Sequence, residues 1–245
     1  MSRDLNSITN GWAYDGSRVV ARIIDGDDGR PKVQLRLDLG VMQMELDGRP
    51  DGRRPHGYAS LLEYYRSLDE TGGAPAGREL PQAACVELQQ EAVQYYYRYL
   101  ALSALQHLDG VIRDTQHNLE LLELVRCHVA DEQLAWQLLQ FFPYVRMMNA
   151  QATAQKHVAE GRYDEAMRAT EQALQEIRAF GEEHGLGDVS SKMQEIQTLS
   201  ELLLNIRSRR HVSPAEKLRT ELQRAIEAED YERAASLRDE LKRLG

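Results

Sequence analysis

The sequence has few cysteines, no excess of positive charge and no long apolar run. Its two cysteines, Cys85 and Cys127, lack the CxxC spacing, which argues against a disulfide framework and a zinc ribbon. We expect two buried thiols in a reducing compartment. The formal net charge of -9 opposes the basic face that binding to a phosphate backbone requires. The composition therefore predicts a protein partner rather than a nucleic acid.

Hydrophobic segments are short throughout the chain. None approaches the roughly 18 consecutive apolar residues that a membrane-spanning helix needs. The first residues, MSRDLNSITNGW, lack the apolar centre of a signal peptide. These two absences predict a soluble cytoplasmic protein with no membrane partner.

Residues that could perform catalysis or hold a metal do not form a recognisable set. Cys127 and His128 are adjacent, and neighbouring side chains on a helix point about 100° apart, so they do not form a nucleophile and base pair. No metal-ligand spacing relates His107, His117, His157 and His184 to one another. We predict no enzyme activity, no catalytic residue, no metal and no cofactor.

The strand signal is confined to residues 12–47. Apolar residues alternate from Val33 to Leu39, and after Gly40 the phase shifts to Met42 and Met44. Such a shift indicates either a bulge or a two-residue turn. We predict one long bulged β-hairpin in preference to a three-stranded meander, and we expect it to pack on the helices or to pair with another copy.

Two polar stretches follow the strand region. The loop DGRPDGRRPHG (47–57) carries Arg49, Arg53 and Arg54, which could bind an anion, but a connector with solvated charges is the favoured interpretation. A short helix then precedes DETGGAPAGRELP, a flexible linker that we take as a domain boundary.

From residue 82 onward the apolar pattern is helical. The tyrosines of VQYYYRYL are predicted to pack in the core. Pro143 is predicted to break or kink the helix that begins near Asp131, and Gly161 is predicted to join two helices. A further helix carries a narrow apolar seam, made of Met193, Ile196, Leu199, Leu203 and Ile206.

Related segments recur along this region. Leu108 and Asp109 align with Tyr163 and Asp164, and Tyr231 begins a third version of the same pattern. Each version has an apolar anchor, an acid in the first helical turn and a small residue, which is typical of two closely packed antiparallel helices. The first two segments resemble tetratricopeptide repeats, although the first has Gly110 and Val111 where that family has an acid and alanine. Membership of the tetratricopeptide family explains the pattern, and so does a shared hairpin geometry without membership.

The C-terminal segment predicts a helical hairpin. Ser213-Pro214-Ala215-Glu216 forms a capping box at its start. One apolar stripe contains Leu218, Leu222, Ala225 and Ile226, and the facing stripe contains Tyr231, Ala234, Leu237, Leu241 and Leu244. The stretch LRTELQRAIEAEDYERAASLRDELKRL resembles the UVR motif, a helical hairpin shared by the excision-repair proteins UvrB and UvrC.

In that family the motif contacts other proteins. The resemblance therefore implies a protein partner or self-association through this hairpin. The expected partner-binding residues are Leu218, Leu222, Ile226, Tyr231, Ala234, Ala235, Leu237, Arg238 and Leu241. The chain has neither the phosphate-binding loop of UvrB nor the GIY-YIG nuclease segment of UvrC, so the likeness implies a binding mode and not a repair reaction. The whole layout is similar to that of uncharacterised bacterial proteins that carry the motif.

The sequence thus predicts a mainly α protein in which an N-terminal β-hairpin precedes tetratricopeptide-like helical hairpins and a C-terminal antiparallel helical hairpin. The predicted segments are a β-hairpin plus short helix (1–69), a linker (70–81), a helical domain (82–187), a connecting helix (188–211) and the UVR hairpin (212–245). A non-catalytic adaptor is the leading hypothesis. The alternatives are an excision-repair accessory that contacts UvrB, UvrC or DNA, with Arg207, Arg209 and Arg210 as the DNA contact, and a ligand-binding or enzymatic groove between the helical repeats.

Overall fold

The fold is mainly α, as predicted, with a small antiparallel sheet near the N-terminus. The computed structural model describes residues 4–70, 80–186, 193–210, 218, 221–223, 225–226 and 230–244. The predicted capping box at Ser213, most of the linker at 70–81 and the end of the linker after Leu186 lie outside these residues. Two compact units are present, residues 1–204 and residues 205–245.

The first unit begins with a four-residue helix, α1 (Asn6–Thr9), followed by strands β1 (Val20–Asp25), β2 (Pro31–Leu37) and β3 (Gly40–Glu45). A 3-10 turn at Pro55–Gly57 leads into the helices. These are α2 (Leu61–Glu70), α3 (Gln82–Ala104), α4 (Leu108–His128), α5 (Glu132–Leu139), α6 (Phe142–Ala159), α7 (Tyr163–Glu183) and α8 (Gln194–Arg209). Helix α9 (Tyr231–Leu244) belongs to the second unit.

The sheet is a three-stranded meander, so the predicted single bulged hairpin is wrong. Strand β2 pairs with both β1 and β3, and Leu35 lies opposite Met42 across the second hairpin. A two-residue turn at Asp38 and Leu39 moves the inward-facing positions from odd to even residue numbers, which explains the phase shift at Gly40. The turn alternative is therefore correct and the bulge is not.

The sheet packs on the helices, as expected. Val33, Leu35 and Met44 share one apolar cluster with Tyr99 and Leu102 of α3. A second cluster joins Leu61 and Leu62 of α2 to side chains of α3, α4 and α5, and a third joins α6, α7 and α8. The predicted linker at 70–81 therefore connects two parts of one compact unit.

Helix boundaries follow the predicted signals. The Asp131 side chain accepts hydrogen bonds from the N–H groups of Gln133 and Leu134 and so caps α5. Pro143 stands in the first turn of α6, where its missing N–H breaks no helical bond, and the chain is interrupted between α5 and α6. Gly161 joins α6 to α7 with a φ of 75°, a left-handed conformation that favours glycine. The predicted break and the predicted joint are both confirmed.

The three related segments share one backbone hydrogen bond across the turn. In each, a backbone N–H after the turn reaches back to a carbonyl five residues earlier, as in a Schellman helix end. These bonds run from His107 to Leu102 at 2.9 Å, from Arg162 to His157 at 2.8 Å and from Asp230 to Ala225 at 2.9 Å. The offset that aligns Asp109 with Asp164 also aligns the fully buried Thr115 and Thr170, whose hydroxyls donate to the carbonyls four residues earlier. Membership of the tetratricopeptide family stays a prediction.

Candidate functional site

The C-terminal unit closes around a small apolar cluster. Ala225, Ala234 and Leu237 are each at least 91% buried, and the half-buried Leu218 and Leu222 pack against them. Small side chains at 225 and 234 allow the two helical segments to approach closely. Four of the nine predicted partner-binding residues, namely Leu218, Leu222, Ala234 and Leu237, are thus occupied in packing within the unit.

Asp230 connects the two helical segments of this unit. Its N–H donates to the Ala225 carbonyl, and its carboxylate accepts a hydrogen bond from the Arg233 N–H at 3.1 Å, which caps α9. Arg233 Nη2 lies 3.9 Å from Glu221 Oε2, so an exposed ion pair also connects the two helical segments. These contacts hold the two segments in register.

A different set of predicted residues faces outward. Tyr231 is 68% exposed and Ile226 is 46% exposed. Ala235 and Arg238 are also exposed, and they follow Tyr231 at helical spacing on one side of α9. We call Ile226, Tyr231, Ala235 and Arg238 the outer face. Leu241 is half-buried. A partner would meet the outer face before it reached the apolar cluster.

The outer face can bind by burying apolar surface and an aromatic ring. Tyrosine and arginine are residue types enriched among those that contribute most to protein interfaces. Tyr231 offers a large ring at the start of α9, and the Arg238 guanidinium bonds to the neighbouring Asp239 at 3.0 Å. The surface is therefore apolar with charged neighbours. Whether these residues bind a partner stays a prediction.

The predicted nucleic-acid residues lie at the end of α8. Arg207 and Arg209 are exposed in its last turn, and Arg210 is half-buried directly after it. Basic side chains in the last turn of a helix also interact favourably with its negative end. Their position thus fits helix capping as well as contact with an anion.

The two cysteines differ in their exposure to solvent. Cys85 is buried as predicted, but Cys127 is exposed, and its Sγ lies 3.4 Å from Glu123 Oε1. The prediction of two buried thiols is therefore half wrong, because position 127 falls on the solvent side of α4. Across the described residues, no three His, Cys, Asp or Glu side chains are grouped so that they could hold a metal ion.

Sequence reasoning missed a buried ionic centre in the first unit. Glu91 is fully buried, and its carboxylate accepts hydrogen bonds from Arg49 and from the N–H groups of Leu61 and Leu62, while His117 Nε2 lies 3.2 Å away. Burial raises the pKa of Glu91, but the hydrogen bonds from His117 and the backbone outweigh it, so the pKa lies below its ordinary value. The carboxylate thus joins the loop after β3, α2 and α4 to α3, which favours a structural role.

Arg49 was expected to be a solvated charge in a connector, and this expectation is wrong. Its side chain is only 9% exposed, and its guanidinium bonds to Glu91 at 2.8 Å and to Asp51 at 2.6 Å. The sequence around Arg49 gives no indication of this ion pair, because Glu91 lies on α3, 42 residues further along the chain. The loop arginine serves to attach the end of the sheet to the helices.

Comparison with known proteins gives one match. The model of the UVR family, described as the UvrB/uvrC motif, matches residues 214–245. The match covers the C-terminal end of the chain, including the described parts of the hairpin. No curated protein and no solved structure matches the chain.

Among the helices of the described residues, none combines the length and the apolar character that spanning a membrane demands.

Proposed function

We propose that the protein is a non-catalytic cytoplasmic adaptor that binds a second protein, or another copy of itself, through the outer face of its C-terminal hairpin. One observation carries the proposal. The apolar cluster closes the hairpin from within, while Ile226 and Tyr231, which lie in the segment that matches the motif, remain 46% and 68% exposed.

The buried cluster and the outer face of the hairpin have separate roles. Ala225, Ala234 and Leu237 hold the two helical segments together, so the outer face is presented on a preformed scaffold. Preformed surfaces lose less conformational entropy on binding than flexible ones. A helix pair that displays apolar and aromatic side chains suits docking against another helical surface.

The buried charges of the first unit support a role without catalysis. Glu91 and Asp114 are fully buried carboxylates, and each is bonded to arginines of the same chain. A general acid or base has to reach the proton it transfers in a bound substrate. Carboxylates engaged in this way are suited to hold elements together.

The test uses the full chain and two outer-face variants, Tyr231→Ala and Ile226→Ser. Leu39→Ser is the control, because Leu39 is an apolar side chain that is 92% exposed on the sheet turn. Sedimentation equilibrium measures self-association, and affinity capture followed by quantitative mass spectrometry measures binding to other proteins. We expect both outer-face variants to lower association or recovery about tenfold, which corresponds to a single strong contact.

The control should behave as the wild type does in both measurements. Equal recovery of all partners and equal self-association for wild type and outer-face variants would refute the role of this surface. Deleting residues 212–245 provides a second variant that does not depend on the choice of side chain.

An accessory role in excision repair is the second candidate. It is favoured by the motif match and by the exposed Arg207 and Arg209 that precede the matched residues. In this function the outer face would bind purified UvrB or UvrC, and the arginines would add contact with DNA. Direct titration with each protein, and DNA binding measured over a range of salt concentrations, tests it. Phosphate contacts predict affinity that falls steeply with salt.

A further inference from the structure

A cavity of about 530 Å³ lies between helices of the first unit. Helix α3 forms one wall with Ala92, Val93 and Tyr96, and the other walls come from α4, α5 and α6. Val93 and Phe141 are 45% and 54% exposed, and they mark the side that opens to solvent. The volume falls within the range of sites that bind small molecules.

None of the described lining residues carries a formal charge. They are apolar side chains, the four tyrosines Tyr96, Tyr97, Tyr99 and Tyr144, and the carboxamides Gln89 and Asn118. Burial raises the pKa of Tyr99 and of Tyr144 above their ordinary range, so both phenols stay protonated near neutral pH. A charged ligand would lose its hydration without gaining an ion pair. The cavity therefore favours an uncharged group.

Aromatic rings dominate one side of the cavity. The Tyr96 ring lies between three other tyrosines, with its centroid 5.3 Å from Tyr97, 5.5 Å from Tyr99 and 6.3 Å from Tyr144. The Tyr96 and Tyr99 rings meet edge to face at 90°. Rings arranged in this way offer both faces and edges to a planar guest, which favours aromatic ligands beyond the area they bury.

The wall contains a polar atom, Asn118 Oδ1, that lacks a partner among the described residues. Asn118 is 4% exposed, and its Nδ2 donates to the Ala92 carbonyl at 3.0 Å, which fixes the orientation of the amide. Its Oδ1 is buried and accepts no hydrogen bond from the residues that the structure describes. An unsatisfied buried acceptor is costly, and a donor supplied by a ligand would remove that cost.

We propose that this cavity binds a small, uncharged, planar aromatic molecule with one N–H or O–H donor, which hydrogen-bonds to Asn118 Oδ1 while its ring packs among the tyrosines. The site lies in the first unit and involves no residue of the hairpin. It is therefore independent of the adaptor function proposed above.

The experiment uses the full chain and two probes that differ by one donor. 5-Fluoroindole has an N–H group, and 1-methyl-5-fluoroindole lacks it. Binding is measured by ¹⁹F NMR line broadening during titration with protein. We expect saturable binding of 5-fluoroindole, with the methylated probe about fivefold weaker, which is the effect of one hydrogen bond.

Three variants locate the site. Val93→Trp places a large ring at the opening and should weaken binding of 5-fluoroindole about tenfold. Val86→Trp is the matched control, because Val86 lies on the same helix, is 46% exposed and does not line the cavity. The affinity of Val86→Trp for 5-fluoroindole should stay at the wild-type value. Asn118→Leu keeps the volume of the side chain and removes the acceptor, so both probes should bind equally.

Circular dichroism and thermal unfolding confirm that each variant is folded before it is titrated. Absence of saturable binding by either probe to the wild type would overturn the proposal. So would equal weakening by Val93→Trp and Val86→Trp. If the wild type binds both probes with equal affinity, the role of Asn118 is refuted.

Discussion

Arg98 of α3 and Asp114 of α4 form a two-pronged ion pair that is completely buried. Nε and Nη2 of Arg98 each lie 2.7 Å from a different oxygen of Asp114, and both side chains are fully shielded from water. The remaining Nη1 of Arg98 donates to the carbonyls of Glu45 and Gly48. One guanidinium thus joins both helices to the end of β3.

Removing one charge of this pair should destabilise the protein strongly. Asp114→Asn leaves the Arg98 guanidinium buried without its counter-charge, which costs about 3–5 kcal/mol. Urea denaturation followed by circular dichroism measures the free energy of unfolding. The control is Glu120→Gln, which breaks the partly exposed pair with Arg66 and should cost about 0–1 kcal/mol.

The double variant Arg98→Met/Asp114→Leu separates the charge from the packing. Because it removes both charges together, it should be more stable than Asp114→Asn alone. A double variant that is no more stable than the single one would show that the packing of Arg98 and its hydrogen bonds to Glu45 and Gly48, and not an unpaired charge, account for the loss.

Glu91 should make the free energy of unfolding depend on pH. Its folded pKa lies below the ordinary value of 4.5, so the carboxylate contributes stability that is complete above 4.5 and is lost as the pH falls through the folded value. The difference in unfolding free energy between wild type and Glu91→Gln should therefore be large at neutral pH and shrink below 4.5. Urea denaturation in a series of buffers measures it.

Glu123→Gln is the matched control for this titration. Glu123 also has a lowered pKa, mainly through its hydrogen bond with Arg126, but its side chain is 54% exposed. Solvent screening makes the contribution of such a pair small. An equal pH response in both variants would contradict the assignment to the buried centre.

The shared turn predicts opposite effects at two aligned positions. Gly161 has a φ of 75°, and Gln106, at the equivalent place, has a φ of 57°. Gly161→Ala should cost about 1–2 kcal/mol because a Cβ strains this conformation. It meets no neighbouring atom there, so the cost is conformational. Gln106→Gly should be neutral or stabilising by up to about 1 kcal/mol.

Thermal unfolding of both variants checks the prediction, and the sign of each change is what matters. Destabilisation by Gln106→Gly comparable to that by Gly161→Ala would show that the two turns are not equivalent.

The hairpin should respond differently at its inner and outer residues. Leu237→Ala removes the largest side chain of the buried cluster and should cost about 2–3 kcal/mol, which for a small unit is enough to open it. Tyr231→Ala removes an exposed ring and should leave the fold intact. Hydrogen exchange over residues 230–244, measured by mass spectrometry, should be accelerated only in the first variant. Equal exchange rates in both variants would mean that the cluster does not hold the unit.

Much of the architecture was predictable because its signals are local. The break at Pro143, the joint at Gly161 and the strand region around Val33 follow from residue types and spacing. The choice between a bulge and a turn at Gly40 was not, because both shift the apolar phase by one residue. Only the pairing of Leu35 with Met42 distinguishes them.

Local sequence patterns also leave parts of the candidate sites undecided. Helical spacing cannot decide whether Tyr231 or Ala234 faces the second helical segment, because the two positions lie on adjoining sides of α9. The burial of Arg49 depends on Glu91, which lies 42 residues away. Contacts of this kind arise from the packing of elements that are distant in the chain, so they produce no periodic pattern in the sequence.

The hydrogen bonds of Glu91 and Arg98 also determine how far the chain can be shortened from its N-terminus. Glu91 is satisfied by Arg49 and by the amides of Leu61 and Leu62, and Arg98 by the carbonyls of Glu45 and Gly48. A fragment that started at residue 82 would keep both charged groups and lose these partners, and the apolar side chains of α3 that pack against the sheet would meet water. The small sheet is therefore no dispensable appendage of the helices.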